Sequence, residues 1–162
     1  MSDLLQKMPL TFEPKRKNRW VLRFPSDLGI SEWMLSSTQR PRCTVNNTEI
    51  QFLNTSTYVA GRYTWGQINA TLRDPIAPSA AQAIMEWHRL CAESVTGRMG
   101  YAAGYKRDVE LEMLDPTGVV IEKWILKNCW MSEVSGGDLS YGDDAVAEMT
   151  ITLVMDYAIL CY

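Results

Sequence analysis

His88 and Cys91 stand three residues apart in a stretch with helical periodicity. That spacing sets an imidazole and a thiol on adjacent turns, where the ring could activate the sulfur as a nucleophile. The apolar stripe runs through Ala83, Ile84, Trp87, Leu90 and Cys91 and leaves His88 beside it. A core cysteine next to a surface histidine is therefore the favoured reading. His88 is the only histidine, which excludes a three-histidine metal site.

Carboxylates offer a second chemistry. Asp108, Glu110 and Glu112 alternate with Val109, Leu111 and Met113, and Glu148 and Asp156 share one side of a second alternating segment. Paired carboxylates serve acid–base catalysis when their surroundings drive their pKa values apart. Nothing in the neighbouring sequence does so, and a solvated sheet face is the expectation. If such a face lined a channel, its charge would repel phosphate and keep a nucleic acid from sticking.

The remaining motifs carry less. Cys43, Cys91, Cys129 and Cys161 are widely spaced and form no C-x-x-C pair, so zinc and redox motifs lack support and buried, reduced thiols are expected. Gly97-Arg98-Met99-Gly100 neither follows a strand nor opens a helix, which excludes a phosphate cradle. Six tryptophans suggest stacking platforms, but no basic groove accompanies them, and core or interface positions fit better. No cofactor is expected.

The elements that must position these residues follow from periodicity. The chain has 162 residues, enough for one domain with a substantial core, and its formal net charge of -3 excludes a global basic field for nucleic-acid binding. Met1–Leu10 lacks the apolar region of a secretory signal, and nowhere do about 18 apolar residues run together. A protein made and kept in the cytoplasm, with no membrane insertion, is expected. Residues 1–17 read as a mobile polar arm and residues 18–162 as a single domain.

Trp20, Leu22 and Phe24 alternate with polar neighbours and predict a strand ending at Pro25. Strands are also expected over Trp33–Thr38, Cys43–Leu53 with a turn at Asn46-Asn47, Thr64–Asp74, Lys106–Leu114, Val119–Lys127 and Cys129–Val134, and over a last stretch from Ala147 to Tyr157. No charged residue occurs between Ile50 and Gly61 in that reading's hairpin tip or flap, where Asn54, Thr55, Ser56 and Thr57 suggest an exposed loop running on to Tyr58. Ser79 with Gln82 predicts the N-terminus of one helix over about 80–94. Gly97, Gly100 and Gly104 predict a mobile loop. Asp115-Pro116-Thr117-Gly118 is the strongest local signal, a hairpin turn. Together these predict a mainly β fold (α+β), an antiparallel β-sandwich or barrel of two packed sheets with one flanking helix.

The order of the pieces carries a resemblance. Trp20-x-Leu22-x-Phe24, a central helix with Glu86-Trp87, Asp115-x-x-Gly118, Trp124-x-Leu126-x-Asn128-x-Trp130, Val134-x-x-Gly137-x-Leu139-Ser140-Tyr141 and Leu153-x-x-Asp156-Tyr157 follow one another over about residues 18 to 158. This succession resembles the tail tube proteins of contractile-tailed bacteriophages. Two departures stand out: Asn128, where that family often has glycine, and the four cysteines.

The resemblance implies hexameric rings, with one sheet of each subunit joining a barrel around the lumen and rings stacking into a tube. It implies a tail sheath protein outside, a tape measure protein and then double-stranded DNA in the lumen, and neither enzymatic site nor cofactor. On that view Asp108, Glu110, Glu112, Glu148 and Asp156 are candidate lumen residues, and Asn54–Tyr58 a candidate contact between rings. Met149–Met155 becomes an uncharged strand edge that ring closure would cover. Cys43 and Cys161 are candidates for cross-links between subunits once the particle leaves the cytoplasm. The tube protein of a type VI secretion system or related injection machine is the nearest rival, and a ligand-binding or enzymatic small β-barrel is a more distant one.

Overall fold

The computed structural model describes residues 9 and 11–162. Most of the expected 1–17 arm thus lies outside the described residues, and Thr11–Lys17 carries no strand or helix.

Among the described residues nine strands form, and every pairing between them is antiparallel. They are β1 (Trp20–Arg23), β2 (Leu35–Ser37), β3 (Cys43–Phe52), β4 (Thr55–Trp65), β5 (Ile68–Arg73), β6 (Arg107–Leu114), β7 (Val120–Ser135), β8 (Glu148–Val154) and β9 (Tyr157–Leu160). Seven of them make one curled sheet in the order β1-β6-β7-β8-β5-β2, with β9 beside β7, and β3 pairs with β4 as a separate hairpin.

The curl comes from β7. Residues Val120–Leu126 and then Cys129 pair with β6 on one edge and Trp124–Lys127 with β9 on the other, whereas Trp130–Ser135 pair with β8. Between them Asn128 takes φ 55, a left-handed conformation that breaks the pleat and turns the strand. One strand therefore serves both halves of a half-barrel, in place of two separate sheets.

Alternation aims one side of each half inward. Leu22, Val109, Leu111 and Leu126 come from the first half, and Ile68, Leu72, Met131, Ile151 and Leu153 from the second, all nearly or fully buried. Each such side chain contributes about 2 kcal/mol by leaving water. Helix α1 (Ala80–Cys91) closes the core with Ile84 and Trp87. The Trp87 ring meets Phe24 edge-on at 5.9 Å, and its Nε1 donates to the Tyr105 carbonyl at 2.8 Å. Ser79 Oγ accepts from Gln82 N at 3.3 Å, as the cap predicts.

The turn expected at Asp115–Gly118 forms. Asp115 Oδ1 accepts from Thr117 N, Thr117 Oγ1 and Val119 N at 2.9, 2.8 and 2.8 Å, and Gly118 has φ 90. These donors hold the Asp115 carboxyl below its usual range.

Several boundaries differ from expectation. Glu32–Met34 is a 3-10 turn ahead of β2, so the strand predicted from Trp33 shrinks to three residues. Asn46 and Asn47 lie within β3 instead of turning, because a register shift between Val45 and Asn47 absorbs the irregularity. Only Leu53 and Asn54 turn the hairpin, and Thr55–Thr57 already belong to β4. Thr64 and Trp65 end β4, and Gly66-Gln67 separate it from β5. The helix stops at Cys91, where Gly100 N bonds to the Cys91 carbonyl, and a short α2 (Ala102–Tyr105) occupies part of the predicted loop. The last predicted strand is two, broken at Met155-Asp156, so exposed Tyr157 belongs to β9.

Candidate assembly surfaces

The β3–β4 hairpin is exposed along both strands, with only Trp65 partly covered. In an antiparallel pair, opposed residues share a face. Beyond the register shift, Phe52↔Thr55, Ile50↔Thr57 and Thr48↔Val59 define one face without charge, and Gln51↔Ser56 and Glu49↔Tyr58 the other. Phe52 is 72% exposed and Leu53, at the tip, 88%. Isolated two-stranded hairpins are marginal in water, and β-branched and aromatic residues left in solvent mark a surface that a partner covers. Asn54 to Tyr58 sit at this tip, with Asn54 in the turn and the other four in β4.

The expected acidic residues do not share a surface. Asp108, Glu110 and Glu112 lie on the outer side of the first half, and each faces a cation from a neighbouring strand. Lys127 Nζ is 3.1 Å from Asp108, Lys123 Nζ is 3.6 Å from Glu110, and Arg23 is 3.4 Å from Glu112. Glu112 is buried, against the expectation of a solvated position, because the Arg23 side chain of β1 and its strand neighbours close over it. This side is thus zwitterionic. Toward β9 it becomes apolar, with Ile125 opposite Ile159 and Lys127 opposite Tyr157, and Tyr157 and Ile159 remain about two-fifths exposed at 42% and 41%.

Glu148 lies on the other half. There Asn69↔Thr152, Thr71↔Thr150 and Arg73↔Glu148 make a row of amides and hydroxyls ending in a register pair of opposite charge, and Thr152 Oγ1 donates to Asn69 Oδ1 at 3.0 Å. No strand residue of β5 or β8 is an exposed large hydrophobic. Asp156 sits between β8 and β9 and accepts from Asn128 Nδ2 at 2.9 Å and Lys106 Nζ at 3.4 Å.

Met149–Met155 is no open edge. β8 pairs with β5 on one side and β7 on the other, since the bent β7 supplies the second partner. In the seven-stranded sheet the terminal strands are the short β1, β2 and β9, and in the hairpin β3 and β4 each keep an unpaired outer edge.

Among the thiols, Cys91 and Cys129 are buried and Cys43 and Cys161 are exposed. Burial pushes the Cys129 thiol up to about 12. Among the described residues His88 Nδ1 has no hydrogen-bond partner, and none of them orients the ring toward Cys91 as a general base. Among the described residues no group of three His, Cys, Asp or Glu side chains is placed to hold a metal ion, and no helix is long and apolar enough to cross a membrane.

Sequence reasoning missed one feature, the two cations gathered at Glu122. Glu122 is buried, Trp124 Nε1 donates to its Oε1 at 3.1 Å, and Lys15 and Arg40 approach Oε2 at 3.2 and 3.5 Å. Its signal was present in Lys15-Arg16-Lys17, which reads simply as a polar arm until folding brings Arg40 beside it.

Comparison with known proteins adds an independent line. The family model described as T4-like virus tail tube protein gp19 matches residues 54–159. Among solved structures, the tube terminating cap of the anti-feeding prophage superposes with a TM-score of 0.75 at 14% identity, covering 94% of each chain. A chain from the sheath-tube complex of the PVC extracellular contractile injection system gives 0.73 at 12% identity over 93% of each. A type six secretion system protein gives 0.52 at 10% identity over 88% of this chain and 82% of that one. At these identities the superpositions show a common fold. A search of the curated proteins finds no match.

Proposed function

The chain belongs to the T4-like virus tail tube protein gp19 family and is a tube subunit, and from that premise we propose that six copies close into a ring and that rings stack into a hollow tube conducting double-stranded DNA. The role is structural, with neither catalytic residue nor cofactor. The tube assembles in the host cytoplasm as part of the virion tail, with a sheath protein outside and a tape measure protein in the lumen before the DNA.

The observation that supports this reading best is the exposed β3–β4 hairpin, whose uncharged Ile50, Phe52 and Val59 face has no cover among the described residues. It reaches the neighbouring ring, with Asn54, Thr55, Ser56, Thr57 and Tyr58 at the contact. Burying these side chains between copies supplies the apolar area that the isolated hairpin lacks.

The bore is lined by the outer side of β5 and β8, with Glu148 as its acidic position. Its hydroxyls and amides stay hydrated and give phosphate nothing to grip, whereas the Ile125, Tyr157 and Ile159 side requires a protein cover. Asp108, Glu110, Glu112 and Asp156 then serve the subunit's own fold. Exposed Cys43 and Cys161 cross-link subunits after release into an oxidising medium.

Electron microscopy of the purified chain tests the tube. Rings or filaments are expected, and a strict monomer at high concentration refutes it. The fold likeness to a type six secretion system protein keeps a protein-conducting tube as the second reading. Particles purified with and without packaged DNA separate the two cargoes.

A further inference from the structure

The two ends of the β5 strand carry opposite charge. At the Ile68 end, where Gln39 Oε1 accepts from Asn69 N at 3.4 Å, a cavity of ≈ 330 Å³ is lined by Lys15, Arg16, Lys17, Trp20, Thr38 and Arg40 among others. Four cations thus surround the cavity. Among the described residues the one carboxylate paired with them is Glu122, and it is buried, so solvent meets mainly positive charge.

The site is not satisfied internally. Thr38 Oγ1 is buried without a hydrogen-bond partner among the described residues, and Glu122 Oε2, which makes no hydrogen bond among them either, meets the charges of Lys15 and Arg40 at 3.2 and 3.5 Å. A wall of cations with a buried, unpartnered hydroxyl suits an incoming ligand that brings charged acceptors for the cations and a further polar group for the hydroxyl. A peptide segment with acidic side chains offers both.

At the Arg73 end, where Asp74 N bonds to the Ala147 carbonyl at 3.0 Å, lies the loop between β7 and β8. It holds Asp138, Asp143 and Asp144, and no lysine or arginine occurs anywhere after Lys127. Leu139, Tyr141 and Val146 stand out from it at 90%, 113% and 68% exposure. The loop is an acidic segment with apolar anchors that no described residue covers.

We propose that the acidic loop 136–147 of one copy docks in the basic cavity of the next copy, so that subunits join head to tail. The proposal rests on the tube reading and names the residues that give the tube its polarity. Charge complementarity selects this occupant. The hairpin leaves the chain from the cavity end, through Arg42 and Gly66, so the same interface would bring the hairpin of one copy toward the loop end of its neighbour. A contact between different surfaces of identical chains propagates instead of closing as an isolated pair, as a ring or a stack requires.

Charge exchange in the full chain tests it. Asp138, Asp144, Arg16 and Lys17 make no side-chain hydrogen bond or ion pair among the described residues, so reversing them should leave the melting temperature of the unassembled chain unchanged. Asp138→Lys with Asp144→Lys, or Arg16→Glu with Lys17→Glu, is expected to raise the concentration needed for assembly, read by sedimentation and electron microscopy, by about tenfold or more. Combining all four substitutions should restore assembly to within about threefold of the original chain. If the original chain forms tubes and the reversed chains form them equally well, or if the combination fails to recover, the contact is refuted while the tube reading stands. If the original chain never assembles, both fall.

Discussion

The backbone N–H of Asn128 donates to Asp108 Oδ1 at 3.1 Å, and the Asn128 side chain donates to Asp156 Oδ2 at 2.9 Å. One residue with φ 55 thus ties together β6, β7 and the break before β9 at the point where the sheet turns. Glycine meets the backbone requirement at that position, and asparagine is the residue that tolerates it while adding a side-chain bond.

Asn128→Ala should destabilise the subunit by about 1–3 kcal/mol, because it keeps the left-handed strain and loses the bond to Asp156. Asn128→Gly exchanges the lost bond for relief of strain and should stay within about 1 kcal/mol of the original. Chemical denaturation of the unassembled chain measures both. Equal stability of the alanine variant would show that the turn does not depend on this residue.

Asp108 links stability to acid. Its carboxyl is held below the usual range, first by the Asn128 N–H, against desolvation as the next largest effect, with the hydrogen bond and charge of Lys127 adding to the lowering. A depressed folded pKa contributes stability that is present above the unfolded value of about 3.9 and is lost as pH falls through the folded value. Melting temperature should therefore fall below about pH 4, and Asp108→Asn should flatten part of that fall. An unchanged acid limb in the variant would remove Asp108 from the cause.

The thiols should divide by position. Two cysteines, Cys43 and Cys161, should react with a thiol reagent in the folded, unassembled chain, and the other two only in denaturant, since Cys91 is buried and the Cys129 thiol is pushed up to about 12. On non-reducing gels of released particles, cross-linked bands are expected that Cys43→Ser with Cys161→Ser abolishes. Monomer bands alone would refute the cross-link.

Phe52→Asp tests the hairpin. The side chain is 72% exposed, so stability of the unassembled chain should change by no more than about 0.5 kcal/mol. Stacking of rings, read by electron microscopy, should be lost because a charge would have to be buried between copies. Normal tubes from this variant would move the contact elsewhere.

Glu148→Lys tests the bore. Tubes should still form, while DNA delivery by particles carrying the variant should slow, because a ring of cations would hold phosphate. Unchanged delivery would place the β5–β8 side away from the lumen.

Local chemistry alone determined much of this protein. Alternation picked out β1, β6 and the inward side of β8, Ser79 marked the helix start, and Asp115–Gly118 the turn, because each depends on neighbours a few residues away. The family was likewise legible in the order of motifs from Trp20 to Tyr157. Tertiary structure decided what depends on distant partners. Glu112 reads as a solvated acid until Arg23 lies beside it, and Lys15 as part of an arm until Glu122 meets it. The predicted strands on either side of Asn128 become one, and Met149–Met155 changes from edge to interior, because pairing across the sheet, which no local pattern encodes, supplies the second neighbour.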